Sequence, residues 1–513
     1  MRSKTPMGIA TAGKASARSW IGLGVIALPC ILVSMDMTVL NLAVPHLAAA
    51  LGPSAAELLW IVDIYGFMVA GALMTMGTLG DRIGRRRLLL IGAAFFGVAS
   101  AAAAFATSPV QLIAARALLG LAAATLAPST LSLIRSMFED DGERRIAIGV
   151  WIASFSAGAA IGPVVGGLLL EHFWWGSVFL VNVPIMVVLL ILGPLLLPEY
   201  RDPNAGQLDV VSAGQSLVAV LSVVWGLKRV AEHGPDAIAA AVIAAGLALA
   251  AVFLRRQRRL ADPFVDLALF QSPAFSVALV VNLAGFFFMF SIFYFVPQYL
   301  QLVVGLSPFK AGLWTLPSGI AFIAGSLLVP AIAARLRAER VLIAALVVAA
   351  TGFAVLTQVD PAGSLATAVI GSVIFSLGLT PVITLTTDIV VSAAPPERAG
   401  SAAALSETSN ELGGTLGIAV LGSVAMAVYR GAMASEPAAA SSEAAQATIG
   451  GAAAAAGTLS PEEAGALVAA AREAFTAGMQ LTAGISVLGL LATAALAAVL
   501  LGRARSGRSR EEA

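Results

Sequence analysis

Five ionisable side chains stand inside stretches otherwise suited to hydrocarbon: Asp36, Asp63 and Arg116 in the first quarter of the chain, Glu407 and Glu411 in the last. A charge at the centre of a bilayer costs roughly 2.5–3.5 kcal/mol on insertion scales, so such residues persist where they pair, carry protons or meet a polar cargo. Asp36 lies in the middle of its run, in Met35-Asp36-Met37-Thr38-Val39-Leu40-Asn41. A salt bridge to Arg116 is one reading of it and a proton- or cation-binding role is another. The two coexist if protonation or a bound cation displaces Arg116. Glu407 and Glu411, four residues apart, share a helix face. Two like charges so close in low-dielectric surroundings are suited to taking up and releasing protons and to attracting a cation. Asp63, in Trp60-Ile-Val-Asp63-Ile-Tyr65, fits either a gating acid or an interfacial residue within an aromatic belt. Asp388 lies near the end of its run, where a solvated or capping role is expected, and none of His46, His172 and His233 lies mid-run.

Other chemistries lack their residues. No nucleophile with a positioned base, no metal-ligand cluster and no phosphate-cradling loop is evident, so no enzymatic activity, cofactor or metal is expected. The single cysteine, Cys30, excludes an intramolecular disulfide. Net charge is +1 with arginines in small scattered groups, which argues against a nucleic-acid partner.

Helices must position these side chains. Of 513 residues 59% are hydrophobic and 12% charged, and the mean hydropathy is +0.92, outside the range of a water-soluble domain. A crossing helix takes about 20 apolar residues. Runs bounded by charges, Pro and Gly predict fourteen, near 20–42, 58–79, 88–106, 109–133, 147–170, 177–198, 212–230, 237–254, 274–300, 308–333, 341–359, 364–391, 398–430 and 474–502. The first is too long for a signal-peptide core and is expected to be retained. With the N-terminus inside, alternate connections collect 24 of the 30 Lys and Arg residues. Lys228, Arg229, Lys310, Arg430 and Arg472 fall in the opposite connections, and Arg116 in a run. Both termini are thus expected in the cytoplasm. The expected organisation is a cytoplasmic tail over 1–19, a six-helix bundle over 20–200, two linker helices with cytoplasmic flanks over 201–272, a second six-helix bundle over 273–502 and a cytoplasmic tail over 503–513. Within the second bundle, 431–473 is too polar to cross, and Ser460-Pro461-Glu462-Glu463 is a helix start. A short helix or hairpin at the outer surface, or a flexible linker, is expected there.

Between the second and third runs the chain reads Gly77-Thr-Leu-Gly80-Asp81-Arg82-Ile-Gly84-Arg85-Arg86-Arg87. Glycines permit a tight turn, and Asp81 can pair with an arginine or sit at a helix end; the arginines alone would serve as a cytoplasmic anchor. The whole string resembles the cytoplasmic signature of the major facilitator superfamily, whose loop latches the helices in one of two states. The resemblance implies an all-α membrane protein with the major facilitator fold and fourteen helices arranged six, two and six. It makes Gly77, Gly80, Asp81, Arg82, Gly84, Arg85 and Arg86 the conformational latch.

Further strings resemble the same family. Leu112 to Arg116, then Gly120, is similar to its fourth-helix pattern, which implies that Arg116 takes part in proton coupling. Gly158-x-x-x-Gly162-Pro163-x-x-Gly166-Gly167 places small residues a turn apart, which tight packing alone would explain, around a proline that lets the helix bend. The complete string resembles the antiporter motif of the superfamily's exporters, and so implies export. Met35 to Pro45 resembles the first-helix signature of the fourteen-helix drug:proton antiporters, in which the acid faces the central cavity. Ala404 to Gly414 resembles their penultimate helix, where Glu407 matches the embedded acid and is favoured over Glu411 for the cavity. In Glu171 to Pro184, Gly176 and Ser177 replace an Arg-Trp common in that family. This departure, with Leu300-Gln301-Leu302 and Gly305-Leu306-Ser307-Pro308, is similar to the Qac, Smv and Lfr type of multidrug efflux pump.

What this resemblance implies is export of small lipophilic cations, such as quaternary ammonium antiseptics and dyes, in exchange for protons by alternating access. The protein would act as a monomer among the lipids of a bacterial inner membrane. Lys310 to Pro330 contains no acid, so a third embedded carboxylate is missing there and monovalent cations are expected over divalent ones. Phe286, Phe287, Phe288, Met289, Phe293 and Tyr294 either line the cavity or face lipid. An exporter of an endogenous metabolite, lipid or self-made antibiotic, with the same exchange mechanism, is the alternative.

Overall fold

Inside a bilayer the backbone finds no water to bond, so each crossing segment satisfies its own N–H and C=O groups and is helical. The computed structural model describes residues 14–201, 208–260, 263, 265–394, 399–439 and 442–511. Expectations resting on residues 1–13, on Arg398 and on the side chains beyond 500 lie outside the described residues. The helices are α1 (Ala17–Leu51), α2 (Ala55–Ile83), α3 (Arg85–Ala104), α4 (Pro109–Met137), α5 (Asp141–His172), α6 (Ser177–Leu180), α7 (Asn182–Leu196), α8 (Val210–His233) and α9 (Ala237–Gln257). They continue with α10 (Pro273–Gln298), α11 (Pro308–Ala333), α12 (Ala338–Leu356), α13 (Leu365–Ser392), α14 (Ala399–Met433), α15 (Glu443–Ala447), α16 (Ile449–Ala456) and α17 (Pro461–Glu511). Fourteen crossings are long and apolar enough to span a membrane, α6 and α7 counting together as one over Ser177–Leu196. The protein is an integral membrane protein.

Helices α1, α2, α5 and α8 overrun the predicted apolar runs, each started by a polar cap, Ser16, Ser54, Asp140 and Asp209 in turn. At the start of α2, Ser54 and Glu57 form a reciprocal capping box. The largest difference is the last crossing, expected from 474. A box between Ser460 and Glu463 starts α17 at Pro461, so the crossing is continuous with an extramembrane helical turn. Between α14 and α17, the short α15 and α16 fold back over the bundle. There α16 rests on the end of α1, where a Cβ on Gly450 would lie 2.7 Å from the Ala48 methyl.

Helix pairing repeats along the chain. In the first part α1 packs on α5, α2 on α4, and α3 on both α4 and α7; in the last part α10 packs on α14, α11 on α13, and α12 on both α13 and α17. The two six-helix units meet through α2 against α14 and α5 against α11, equivalent helices with their roles exchanged. The extra pair, α8 and α9, packs on itself and lays α8 against both α2 and α14.

An even number of crossings brings the start of α1 and the end of α17 to one face of the molecule, the terminal face, which also carries the 81–87 turn. The tight approaches between units lie towards the opposite, far face. There a Cβ on Gly422 of α14 would come within 2.6 Å of the Leu59 side chain of α2, and Gln301 donates to the Leu42 carbonyl at 3.0 Å. Gly66 abuts Thr415, and Gly312 abuts the Pro163 carbonyl. Small residues permit this closeness where apolar burial against lipid gives little preference for helix contact.

Candidate functional site

The first charged centre lies wholly inside the N-terminal unit. Arg116 of α4 donates from Nη1 to Oδ2 of Asp36 on α1, in an ion pair whose side chains are 1% and 3% exposed. The fork is completed by Nε, which donates to the Ile61 carbonyl at 3.2 Å. The guanidinium carbon stands 4.5 Å from the Tyr65 ring centroid, a cation–π contact that compensates part of its lost hydration. Asn182, at the start of α7, donates to Oδ1 of Asp36 at 3.5 Å and to Ser100 at 3.2 Å. The carboxylate thus points at α4 and α7. Its neighbours on α1, Thr38 and Asn41, are the residues that reach the cavity between the units. In this state Asp36 is therefore held beside the cavity wall and is not part of it.

That cavity, of about 150 Å³, lies among α1, α5, α10, α11 and α13. Met289, Phe293, Trp314 and Phe322 supply apolar and aromatic surface, and Asn41 and Ser318 supply polar groups; no charged side chain lines it among the described residues. Of the six α10 residues predicted to face either cavity or lipid, Met289 and Phe293 reach the cavity. Phe288 and Tyr294 are buried in the core, where Phe288 packs edge-on against Phe353.

The two acids of α14 separate. Glu407 is at an exposed position, whereas Oε2 of Glu411 is buried with no hydrogen-bond partner and lies 3.8 Å from where a Cβ on Gly66 would stand. Glu411 is thus the acid at the α2–α14 contact, and Tyr65 is within electrostatic reach of Asp36, Arg116 and Glu411 together. Neither glutamate is ion-paired among the described residues. One turn beyond Glu407, Asn410 accepts from Asn282 of α10, which in turn accepts from Thr386 of α13 at 2.9 Å. This buried polar junction was not anticipated, because isolated Asn and Thr in apolar runs carry no spacing signal.

Asp63 is neither interfacial nor solvated. It is fully buried and paired with Lys228 of α8, a residue that the positive-inside pattern had put in a connection. The helix simply runs on to His233, and the lysine turns inward.

Arg85 and Arg86 of the latch string bond within their own unit. Gly84 has φ +113°, a conformation that favours glycine, and joins α2 to α3. A Cβ there would come within 2.5 Å of the Glu199 carboxylate, which accepts the Arg86 N–H at 3.1 Å. Arg85 bonds Asp81 at 2.6 Å, and its N–H donates to the Tyr200 carbonyl at 2.9 Å. Gly80 packs against Arg85 and Leu88, whereas Gly77 has room, its nearest neighbour at Cβ being Pro128 at 4.0 Å. Arg82 occupies the last turn of α2. Glu199 and Tyr200, distant in sequence, were not anticipated as parts of this turn.

The Gly158–Gly167 string faces two ways. Gly158 meets the Ile31 carbonyl, Gly162 meets Thr38 and Met35, and Gly166 meets Val39, all on α1; Gly167 meets Pro308, and the Pro163 carbonyl meets Gly312, both on α11. Gly158→Leu should therefore cost the N-terminal unit about 1–3 kcal/mol by overpacking, read as a lowered Tm. Gly167→Leu should instead loosen the contact between units with a smaller change in Tm. Equal Tm losses would count against this division.

The sequence profile of the Major Facilitator Superfamily matches residues 26–418. The chain is 44% identical to the multidrug efflux pump LfrA of Mycolicibacterium smegmatis over 95% of its own length and 97% of the relative's. It is 35% identical to the methyl viologen resistance protein SmvA of Salmonella typhimurium, covering 89% and 93%. Among solved structures, a bacterial homologue of the human lysosomal transporter Spinster, inward-facing and unoccupied, superposes with a TM-score of 0.65 at 16% identity, covering 96% of this chain and 99% of that one.

Proposed function

Because the chain belongs to the major facilitator superfamily, we propose that it is a proton-coupled multidrug exporter that moves lipophilic, mainly monovalent cations by alternating access. Quaternary ammonium antiseptics and dyes are its expected cargo. It works as a monomer in a bacterial inner membrane with both termini in the cytoplasm. On that orientation the far face is outside, and the two units approach closely there.

The observation that supports the reading is the buried Asp36–Arg116 pair beside the cavity wall, with two further acids, Glu407 and Glu411, on α14 of the other unit. Asp36 is balanced by Arg116 in one unit, and Glu407 stands exposed in the other. A cation or proton that reaches Asp36 competes with the guanidinium, and one that reaches Glu407 or Glu411 meets no resident cation. The aromatic wall of Phe293, Trp314 and Phe322 supplies apolar and cation–π contact to ligands of varied shape. Each proton returning down its gradient supplies roughly 2.3 kcal/mol per 100 mV and about 1.4 kcal/mol per pH unit. Two protons per monocation make the step electrogenic.

Proteoliposomes with an imposed pH gradient should move ethidium against its concentration, and methyl viologen, a dication, less efficiently. Absence of any gradient-driven dye movement overturns the multidrug reading. A second reading, export of an uncharged endogenous compound, is favoured by the uncharged cavity wall; gradient-driven movement of neutral aromatic probes with no movement of cationic dyes would support it instead.

A further inference from the structure

Lys228 binds Asp63 with its ammonium 2.7 Å from one carboxylate oxygen and 2.9 Å from the other, and both residues are essentially buried, at 2% and 0% exposure. The same ammonium stands 3.8 Å from the Trp60 ring centroid. Trp60 and Asp63, three residues apart, present one face of α2 to α8, so the charge is held by a carboxylate and an aromatic face together. Separating such a pair leaves two buried charges uncompensated, which makes it a strong attachment point. By this pair the linker helix is fixed to the N-terminal unit.

The same face of α8 also meets the C-terminal unit. Val224 of α8 packs with Phe67 of α2 and Ala419 of α14, surrounded by Val220, Leu221, Leu412 and Leu416. At the far end of α8, Arg430 of α14 donates from Nη1 to the Glu232 carbonyl. A cation on the last carbonyls of a helix satisfies otherwise unbonded acceptors and complements the helix dipole. Helix α8 therefore spans the α2–α14 contact on the far face, where the two units must part if that face is to open.

We propose that α8 is a clasp across the far-face seam, and that Lys228 is the positioning residue that anchors it to Asp63 while Arg430 fastens it to the other unit. Opening the far face must release one of the two grips. The Arg430 bond, half-buried and made to a single carbonyl, is the one that parts, and α8 stays with α2. The linker helices are on this account a working part of the transporter. The proposal rests on the alternating-access reading, but the test below reads distances without cargo or proton gradient, so its failure is separable from a failure of transport.

Spin labels at Ala50→Cys and Ala432→Cys, exposed positions at the far ends of α1 and α14, report separation of the units on a Cys30→Ser background. Lys228→Met should raise the population of the long-distance state roughly tenfold, within the range typical of conformational coupling. Lys228→Arg, which can still meet both Asp63 oxygens, should stay near the unaltered protein. A Lys228→Met distribution matching the unaltered protein overturns the proposal, as does failure of Lys228→Arg to hold the seam. Should Lys228→Met fail to insert, Arg430→Gln decides in its place, with the same widening expected and an unchanged distribution overturning the clasp.

Discussion

Arg116→Ala is expected to destabilise the protein by about 3–5 kcal/mol, the usual cost of leaving one member of a buried ion pair behind, and to abolish transport. The Asp36 carboxylate would keep only Asn182 at 3.5 Å, and the Ile61 carbonyl would lose its donor. Asp36→Asn strands the guanidinium instead. The double variant Asp36→Asn with Arg116→Gln removes both charges and retains polar groups able to bond each other, so most of the lost stability should return while proton-driven transport does not. Thermal unfolding in detergent measures the first part and vesicle uptake the second. If the single Arg116 variant unfolds at the temperature of the unaltered protein, the pair does not hold the bundle together. If the double variant transports fully, Asp36 is not a coupling group.

Glu407→Gln is expected to reduce gradient-driven dye efflux to the level of empty vesicles while leaving insertion and Tm nearly unchanged. The side chain is exposed, so the amide loses no packing and no ion pair; it loses only the ability to exchange a proton or attract a cation. Glu411→Gln should behave differently. Its Oε2 is buried without a partner beside Gly66, and an uncharged amide of the same shape suits that place at least as well as a carboxylate. Stability should hold or rise, and transport should fall because the contact between α2 and α14 is no longer sensitive to protonation. Full ethidium efflux by Glu407→Gln would sink its assignment as a coupling acid, and a large loss of Tm in Glu411→Gln would show that the carboxylate has a partner in the closed seam.

Much of the architecture was legible because hydrocarbon imposes a simple rule on sequence: about 20 apolar residues per crossing, with charges kept to the ends. That rule marks fourteen runs and leaves Asp36, Asp63, Arg116, Glu407 and Glu411 as conspicuous exceptions. The glycine strings at 77–84 and 158–167 were equally visible, since close backbone approach demands small residues wherever it occurs. Lys228 escaped for a physical reason. Near the end of an apolar run, a lysine that snorkels to the interface and a lysine that turns inward to an acid on another helix look the same in one dimension. Asn182 and Glu199 escaped because the side chains and backbone they bond lie 82 to 146 residues away.

Sequence by itself determined the crossings, their number and the identities of the embedded charges, because these follow from the solvent and act locally. Only the tertiary structure decided which charges meet. Asp36 and Arg116 could have been partners or independent groups, and helix packing of α1 against α4 and α7 turned the carboxylate away from the cavity towards the guanidinium. Asp63 could have been a gating acid or part of an interfacial belt, and the position of α8 gave it a buried lysine. Both outcomes depend on the rotation of one helix about its axis relative to another. A low-dielectric interior makes such pairings strong, yet no local propensity of the chain specifies that rotation.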